Sequence, residues 1–155
     1  MALLAVLFLV TFTACGNSVD VPFLHNSNVC ITDSREAIIS GLRLSYDSDA
    51  ELYITPGSVT IAGVVFEGVE VEFIGNILDY IIYFIDNPND DAFDTVFAHL
   101  TSLFGRPTGQ EREGMPIWLV SQDDVVFLVE LSLFEGIEFD DWTLEPSLYL
   151  SMTLQ

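Results

Sequence analysis

The carboxylates are the residues of this chain best able to do chemistry, because 24 aspartates and glutamates stand beside four arginines and two histidines. A pair of carboxyl groups can cleave a glycosidic bond, one as the acid and the other as the nucleophile or base. No spacing in the sequence singles out one pair among the 24. We therefore predict that the protein is not an enzyme, with an envelope glycan-acting enzyme that uses paired carboxylates as the alternative.

Nucleophilic catalysis has little support, because a serine or cysteine nucleophile needs a base within hydrogen-bond reach. The sequence has no lysine and no Gly-x-Ser-x-Gly motif. His25 lies in a segment rich in Asn, Ser and Pro, where we expect a solvated side chain. His99 lies on the flank of a predicted helix, where we expect a surface or half-buried side chain. Neither histidine is predicted to be catalytic.

Two acidic clusters carry the oxygen ligands that calcium prefers. They are Asp47, Asp49 and Glu51, and then Asp86, Asn89, Asp90, Asp91 and Asp94. Neither cluster is an EF-hand loop, because Leu52 and Asp91 stand at the sixth positions, where the turn needs glycine. We interpret the clusters as a turn and a helix N-terminus. Cys15 and Cys30 lack zinc-ligand spacing, so we predict no metal and no cofactor.

The charge balance limits the possible partners, since 4 basic against 24 acidic residues gives a net charge of −20. Affinity for nucleic acid begins with Lys and Arg side chains that neutralise phosphates. Direct adhesion to anionic lipid needs the same basic residues. We therefore exclude nucleic acid as a partner, and we expect that contact with a membrane requires a covalent anchor.

Residues 1–14 form an uncharged apolar run that ends in small residues directly before Cys15. The run is too short for a bilayer-spanning helix, which needs about 20 residues, but it has the length of an export signal. It resembles the signal of bacterial lipoproteins, in which the cysteine becomes the mature N-terminus and is diacylated. The resemblance implies a signal peptide over residues 1–14 and a lipid on Cys15. It also implies a location on the outside of the cytoplasmic membrane or in the periplasm.

Residues 15–30 are predicted to be a flexible tether, because Asn, Ser and Pro are frequent and no periodicity is sustained. A tether of this kind would connect a lipidated Cys15 to a folded domain. If Cys15 is not lipidated, the rival account is a disulfide between Cys15 and Cys30.

Residues 31–155 are predicted to form a single domain. A short helix is expected near Thr32 and Asp33, and a longer one over residues 91–104, where apolar residues recur at three- and four-residue steps. Alternating and continuous apolar runs predict strands over residues 51–86 and 116–154, with a hairpin at Gly75 and Asn76. The order predicts an α+β fold, an antiparallel sheet with one long and one short helix packed on one face.

The segment Leu103–Pro107, followed by Trp118 in a predicted strand, carries a second resemblance. It is similar to a segment of small uncharacterised lipoproteins of Gram-positive gut bacteria. It is less similar to the small lipoprotein subunit of the outer-membrane β-barrel assembly machinery. These resemblances imply a small binding or scaffold domain and no catalytic activity.

The expected function is therefore that of a membrane-anchored, non-catalytic module that binds an envelope protein or peptide. The candidate contacts are Trp118, Phe139 and Trp142, because aromatic side chains supply large buried area at interfaces. The alternative for these three residues is two ordinary core tryptophans and a loop phenylalanine.

Overall fold

A computed structural model describes residues 22–112, 115–122, 125–138 and 143–155. These residues form two helices and fourteen strands, so the sheet dominates and the predicted antiparallel α+β class is confirmed at that level. The strands are β1 Pro22–Phe23, β2 Asn26–Cys30, β3 Ser45–Asp47, β4 Leu52–Ile54, β5 Val59–Ile61, β6 Val64–Phe66, β7 Gly68–Ile74, β8 Ile77–Asp86, β9 Gly109–Arg112, β10 Met115–Gln122, β11 Val125–Phe134, β12 Ile137–Glu138, β13 Thr143–Leu144 and β14 Ser147–Leu154. The helices are α1 Arg35–Leu42 and α2 Ala92–Phe104.

The main sheet has eight antiparallel strands in the order β3-β4-β7-β8-β14-β11-β10-β9. Three hairpins supply six of these strands, β3 with β4, β7 with β8, and β10 with β11. The last strand, β14, inserts between β8 and β11 and pairs with both. The C-terminal strand therefore joins the two halves of the chain in one sheet.

The β7–β8 hairpin follows the alternation of its sequence. Val69 and Val71 are fully buried, whereas Glu70 and Glu72 between and after them are partly exposed. The strands turn at residues 75–76, as predicted, and Gly75 adopts a positive φ of 64° there. A glycine reaches this left-handed conformation at no steric cost.

Helix α1 begins later than the sequence predicted. Ser34 is its N-cap, and the Ser34 hydroxyl accepts a hydrogen bond from the Ala37 backbone N–H at 3.3 Å. Asp33, predicted to open the helix, instead accepts a hydrogen bond from the Cys30 backbone N–H at 2.8 Å. The capping oxygen therefore comes one residue later, and Asp33 closes the turn that precedes the helix.

Helix α2 matches its predicted span. Ala92, Val96 and Leu100 are buried along one stripe, as the apolar periodicity requires. The helix ends at Gly105, whose φ is 82° and whose backbone N–H donates to the Thr101 carbonyl at 3.0 Å.

The folded domain begins earlier than predicted. Phe23, Val29 and Cys30 are buried and lie in β1 and β2, which pair with each other. Residues 22–30 therefore belong to the domain, and the prediction that they form part of a flexible tether is wrong. Both strands are too short for their periodicity to be visible in the sequence.

Candidate functional site

Trp118 is not available to a partner. Its side chain is 1% exposed, and its indole N–H donates to the carbonyl oxygen of Gly105 at 3.0 Å. Its ring packs against Phe97 of α2 with the centroids 5.7 Å apart. The prediction that Trp118 contacts a partner is wrong, because this side chain joins the sheet to the end of helix α2.

The other predicted site residues, Cys15, Phe139 and Trp142, lie outside the described residues, as do the predicted signal peptide (residues 1–14) and residues 15–21. Cys30 is fully buried, and a disulfide from it could join only Cys15, which lies outside the described residues. The sequence contains one other cysteine, Cys15. One sulfur cannot carry both an intrachain disulfide and a thioether lipid. The two accounts of Cys15 are thus mutually exclusive, and the mass of the mature protein separates them.

His25 is a structural residue of the domain rather than a solvated residue of a tether. It lies in the turn between β1 and β2, where its Nδ1 is 3.1 Å from the hydroxyl oxygen of the fully buried Tyr83. Burial lowers the pKa of His25 to about 4, so the imidazole is neutral at pH 7. Burial also raises the pKa of Tyr83, with an opposing contribution from a hydrogen bond to the Leu24 backbone.

Two surface clefts lie beside these elements. One, of about 430 Å³, is lined by His25 and Arg43 and by the chain around Thr55 to Val59, and none of the described residues that line it is acidic. The second, of about 460 Å³, has Asp91 as the one carboxylate among the described residues that line it. A glycosidase needs two carboxylates facing one cavity. Neither cleft offers that pair, so neither supports the alternative of a glycan-acting enzyme.

The first acidic cluster forms a turn. The Asp47 carboxylate accepts hydrogen bonds from the backbone N–H groups of Asp49 and Ala50 at 2.9 and 3.2 Å. This is an Asx turn, in which the side chain takes the place of a backbone acceptor. Within the part of the chain that the structure describes, no group of three or more His, Cys, Asp or Glu could hold a metal ion.

The register of the main sheet sorts its side chains onto two faces. One row across the strands is Trp118, Val129, Met152, Ile81, Val71 and Tyr53, and it is buried except for the half-buried tyrosine. Neighbouring positions on a strand point to opposite faces. The opposite face, which we call the outer face, comprises the rows Ile117, Glu130, Ser151, Ile82, Glu70 and Ile54; Leu119, Leu128, Thr153, Tyr80 and Glu72; and Ser132, Tyr149 and Phe84.

The outer face combines apolar and acidic side chains. Leu119 is 54% exposed and Tyr149 is 41% exposed. The other residues of the three rows on the outer face are half-buried. Partial burial, the hydrogen bond to Glu72 and the negative charges of Glu70, Glu72 and Asp79 raise the pKa of the Tyr80 hydroxyl to about 12. The strands β4, β7, β8, β14, β11 and β10 contain no lysine or arginine. The face therefore carries carboxylates on β7 (Glu70 and Glu72) and on β11 (Glu130), with apolar side chains on β10 and β11 beside them.

No protein-family model, no curated protein and no solved structure matches this chain. None of the helices within the described ranges is long and apolar enough to span a bilayer. The function is therefore inferred from the N-terminal segment of the sequence and from the surfaces of the described domain.

Proposed function

We propose that this chain is an exported lipoprotein that acts as a non-catalytic binding or scaffold module at the cell envelope. A diacylated Cys15 anchors it to the outside of the cytoplasmic membrane or in the periplasm. The outer face of the main sheet is its docking surface for an envelope protein or peptide. The short length of the apolar N-terminal run and its position before Cys15 support the anchor.

In this proposal the two helices lie on the face of the sheet opposite to the outer face. Phe97 of α2 packs against Trp118, and Arg35 of α1 lies over the ring of Tyr53 at 5.4 Å from its centroid. Arg35 also donates to the Tyr53 hydroxyl at 2.9 Å. Trp118 and Tyr53 belong to the same row of the sheet, at opposite ends. Contacts of both helices with one row support a two-layer domain whose outer face has no helix over it among the described residues.

Exposed apolar side chains on that face carry the proposal. Large exposed apolar patches on proteins mark interaction sites. Leu119 and Tyr149, the most exposed of these residues, lie on β10 and β14, the two strands that flank β11 in the sheet. Interfaces commonly combine such an apolar area with polar groups at its margin.

Export agrees with both states of the cysteines. A lipobox cysteine is modified only on an exported chain, as the resemblance implies. Disulfides persist in oxidising compartments outside the cytoplasm. The domain therefore works outside the cytoplasm in either case, and the lipid decides whether it is anchored there.

Photo-crosslinking in the producing bacterium tests the docking surface. A photoreactive amino acid replaces Leu119 or Tyr149 on the outer face, and Ala98 on the exposed side of α2 serves as the control. We expect a discrete cross-linked envelope partner from the first two positions and not from Ala98. Equal yields from all three positions, or a partner captured only from Ala98, would overturn the choice of the outer face.

A further inference from the structure

We infer that the occupant of the outer face is a cationic, amphipathic polypeptide segment that lies across the strands. Its Arg or Lys side chains contact Glu70 and Glu72, and its aliphatic or aromatic anchor contacts Leu119 and Leu128. This inference rests on the proposed docking surface and specifies the chemistry of the partner.

The charge distribution of the face identifies the sign of the partner. Glu70 and Glu72 lie two residues apart on β7, and Glu72 pairs with Tyr80 of β8 in the sheet. The six inner strands contribute no cation, and Arg112 belongs to the edge strand β9 beyond β10. A partner that covers Glu70 and Glu72 without a cation would bury two uncompensated carboxylates, which is costly. Charge complementarity therefore requires basic groups on the partner.

The need for basic groups opposite Glu70 and Glu72 excludes two other occupants of the outer face. A second copy of this chain would bring another face without lysine or arginine on its inner strands, together with a second net charge of −20. An anionic lipid surface would add negative charge to negative charge. Neither surface neutralises Glu70 and Glu72, whereas a basic polypeptide does.

The spacing of the face sets the spacing of the partner's groups. Leu119, Leu128, Thr153, Tyr80 and Glu72 form one row over five adjacent strands. Strands lie about 4.8 Å apart, so Glu72 is about 14 Å from Leu128 and about 19 Å from Leu119 across the sheet. An extended chain rises about 3.3 Å per residue, so its cation and its apolar anchor are about four to six residues apart.

Defined peptides test this inference on the full-length protein purified from membranes. The probe is a labelled synthetic peptide with two arginines at one end and two leucines five residues away, one of them photoreactive. A second peptide carries uncharged citrulline in place of arginine. The protein variants are Glu70→Gln/Glu72→Gln and, as a charge-matched control on the two helices, Glu36→Gln/Asp94→Asn.

We expect the arginine peptide to bind with a Kd that rises about three- to ten-fold in the Glu70→Gln/Glu72→Gln variant, as the loss of two partly exposed ion pairs implies. The control variant should change the Kd less than two-fold, although it has lost the same charge. The photoreactive leucine should cross-link to the segments that contain Leu119 and Leu128.

Other results of the peptide experiment would refute the cationic partner and leave the docking surface to a separate test. Equal affinities for the arginine and citrulline peptides, with cross-links still on β10 and β11, would refute the cationic partner and leave the docking surface standing. Cross-links on the helices, or binding by neither peptide, would refute the cationic segment as occupant. The photo-crosslinking of Leu119 and Tyr149 in cells would then decide the docking surface by itself.

Discussion

Acidification should weaken the fold through one imidazole. The imidazole of His25 is uncharged in the folded protein at pH 7, because burial lowers its pKa to about 4 from an ordinary value of 6.5. In the unfolded chain the imidazole takes up a proton near its ordinary value. Between these two values the unfolded state binds more protons than the folded state, so the free energy of unfolding falls as the pH falls.

The magnitude follows from the width of that window. The difference between 6.5 and about 4 is about 2.5 pKa units, and each unit corresponds to about 1.4 kcal/mol. His25 is only partly buried, so water screens part of this penalty. We expect about 1 to 2 kcal/mol of lost stability from His25 when the pH falls through the window.

Urea unfolding of the wild-type protein and of His25→Gln, from about pH 7 to about pH 4.5, measures the contribution of His25 to the free energy of unfolding. The carboxylates titrate alike in both proteins and cancel in the difference between their free energies of unfolding. Glutamine does not titrate, so the advantage of the wild-type protein should shrink by about 1 to 2 kcal/mol towards the acidic end. An advantage that stays constant over this range would refute the assignment of His25 as a neutral partner of Tyr83.

Three further predictions concern single contacts, each checked by urea unfolding. Trp118→Phe should destabilise the fold by about 2 kcal/mol, because it removes the hydrogen bond to Gly105 and leaves a cavity beside α2; a change below about 0.5 kcal/mol would contradict the core role. Gly136→Ala should lower the free energy of unfolding by about 1 kcal/mol or more. The φ of Gly136 is 82°, and a Cβ there would lie 2.7 Å from the Leu144 carbonyl oxygen. An unchanged stability would contradict this turn geometry. Arg35→Gln should lower the free energy of unfolding by about 1 kcal/mol, because it removes two hydrogen bonds and the contacts with the rings of Tyr53 and Phe73. A variant as stable as the wild-type protein would show that other contacts hold α1.

Periodicity in the sequence predicted the elements that are regular over many residues. Helix α2 has a continuous stripe of buried positions, and the β7–β8 hairpin alternates and turns at Gly75. The start of α1 was misplaced by two to three residues, because Asp33 and Ser34 are both good capping residues and only the structure shows that Asp33 closes the preceding turn.

The sequence did not predict which distant strands pair with each other. The neighbours of Glu70 and Glu72 on the outer face depend on the insertion of β14 between β8 and β11, which no local pattern encodes. The sequence leaves Trp118 as either a partner contact or an ordinary core tryptophan. The structure shows the core tryptophan, whose N–H donates to a carbonyl oxygen at the end of α2. Alternation did indicate that the glutamates of β7 face water, and this was the one local signal that pointed to the outer face.

Intact mass and membrane fractionation of the protein expressed in a bacterium, beside Cys15→Ala, test the central proposal most directly. The account predicts a mature chain that starts at Cys15 and carries a diacylglyceryl group, found in the membrane fraction. The Cys15→Ala variant should lack this group and should not fractionate as the lipidated protein does. A chain without lipid whose mass is lower than the reduced form by two hydrogens would instead establish a disulfide between Cys15 and Cys30. That result would contradict the anchored lipoprotein.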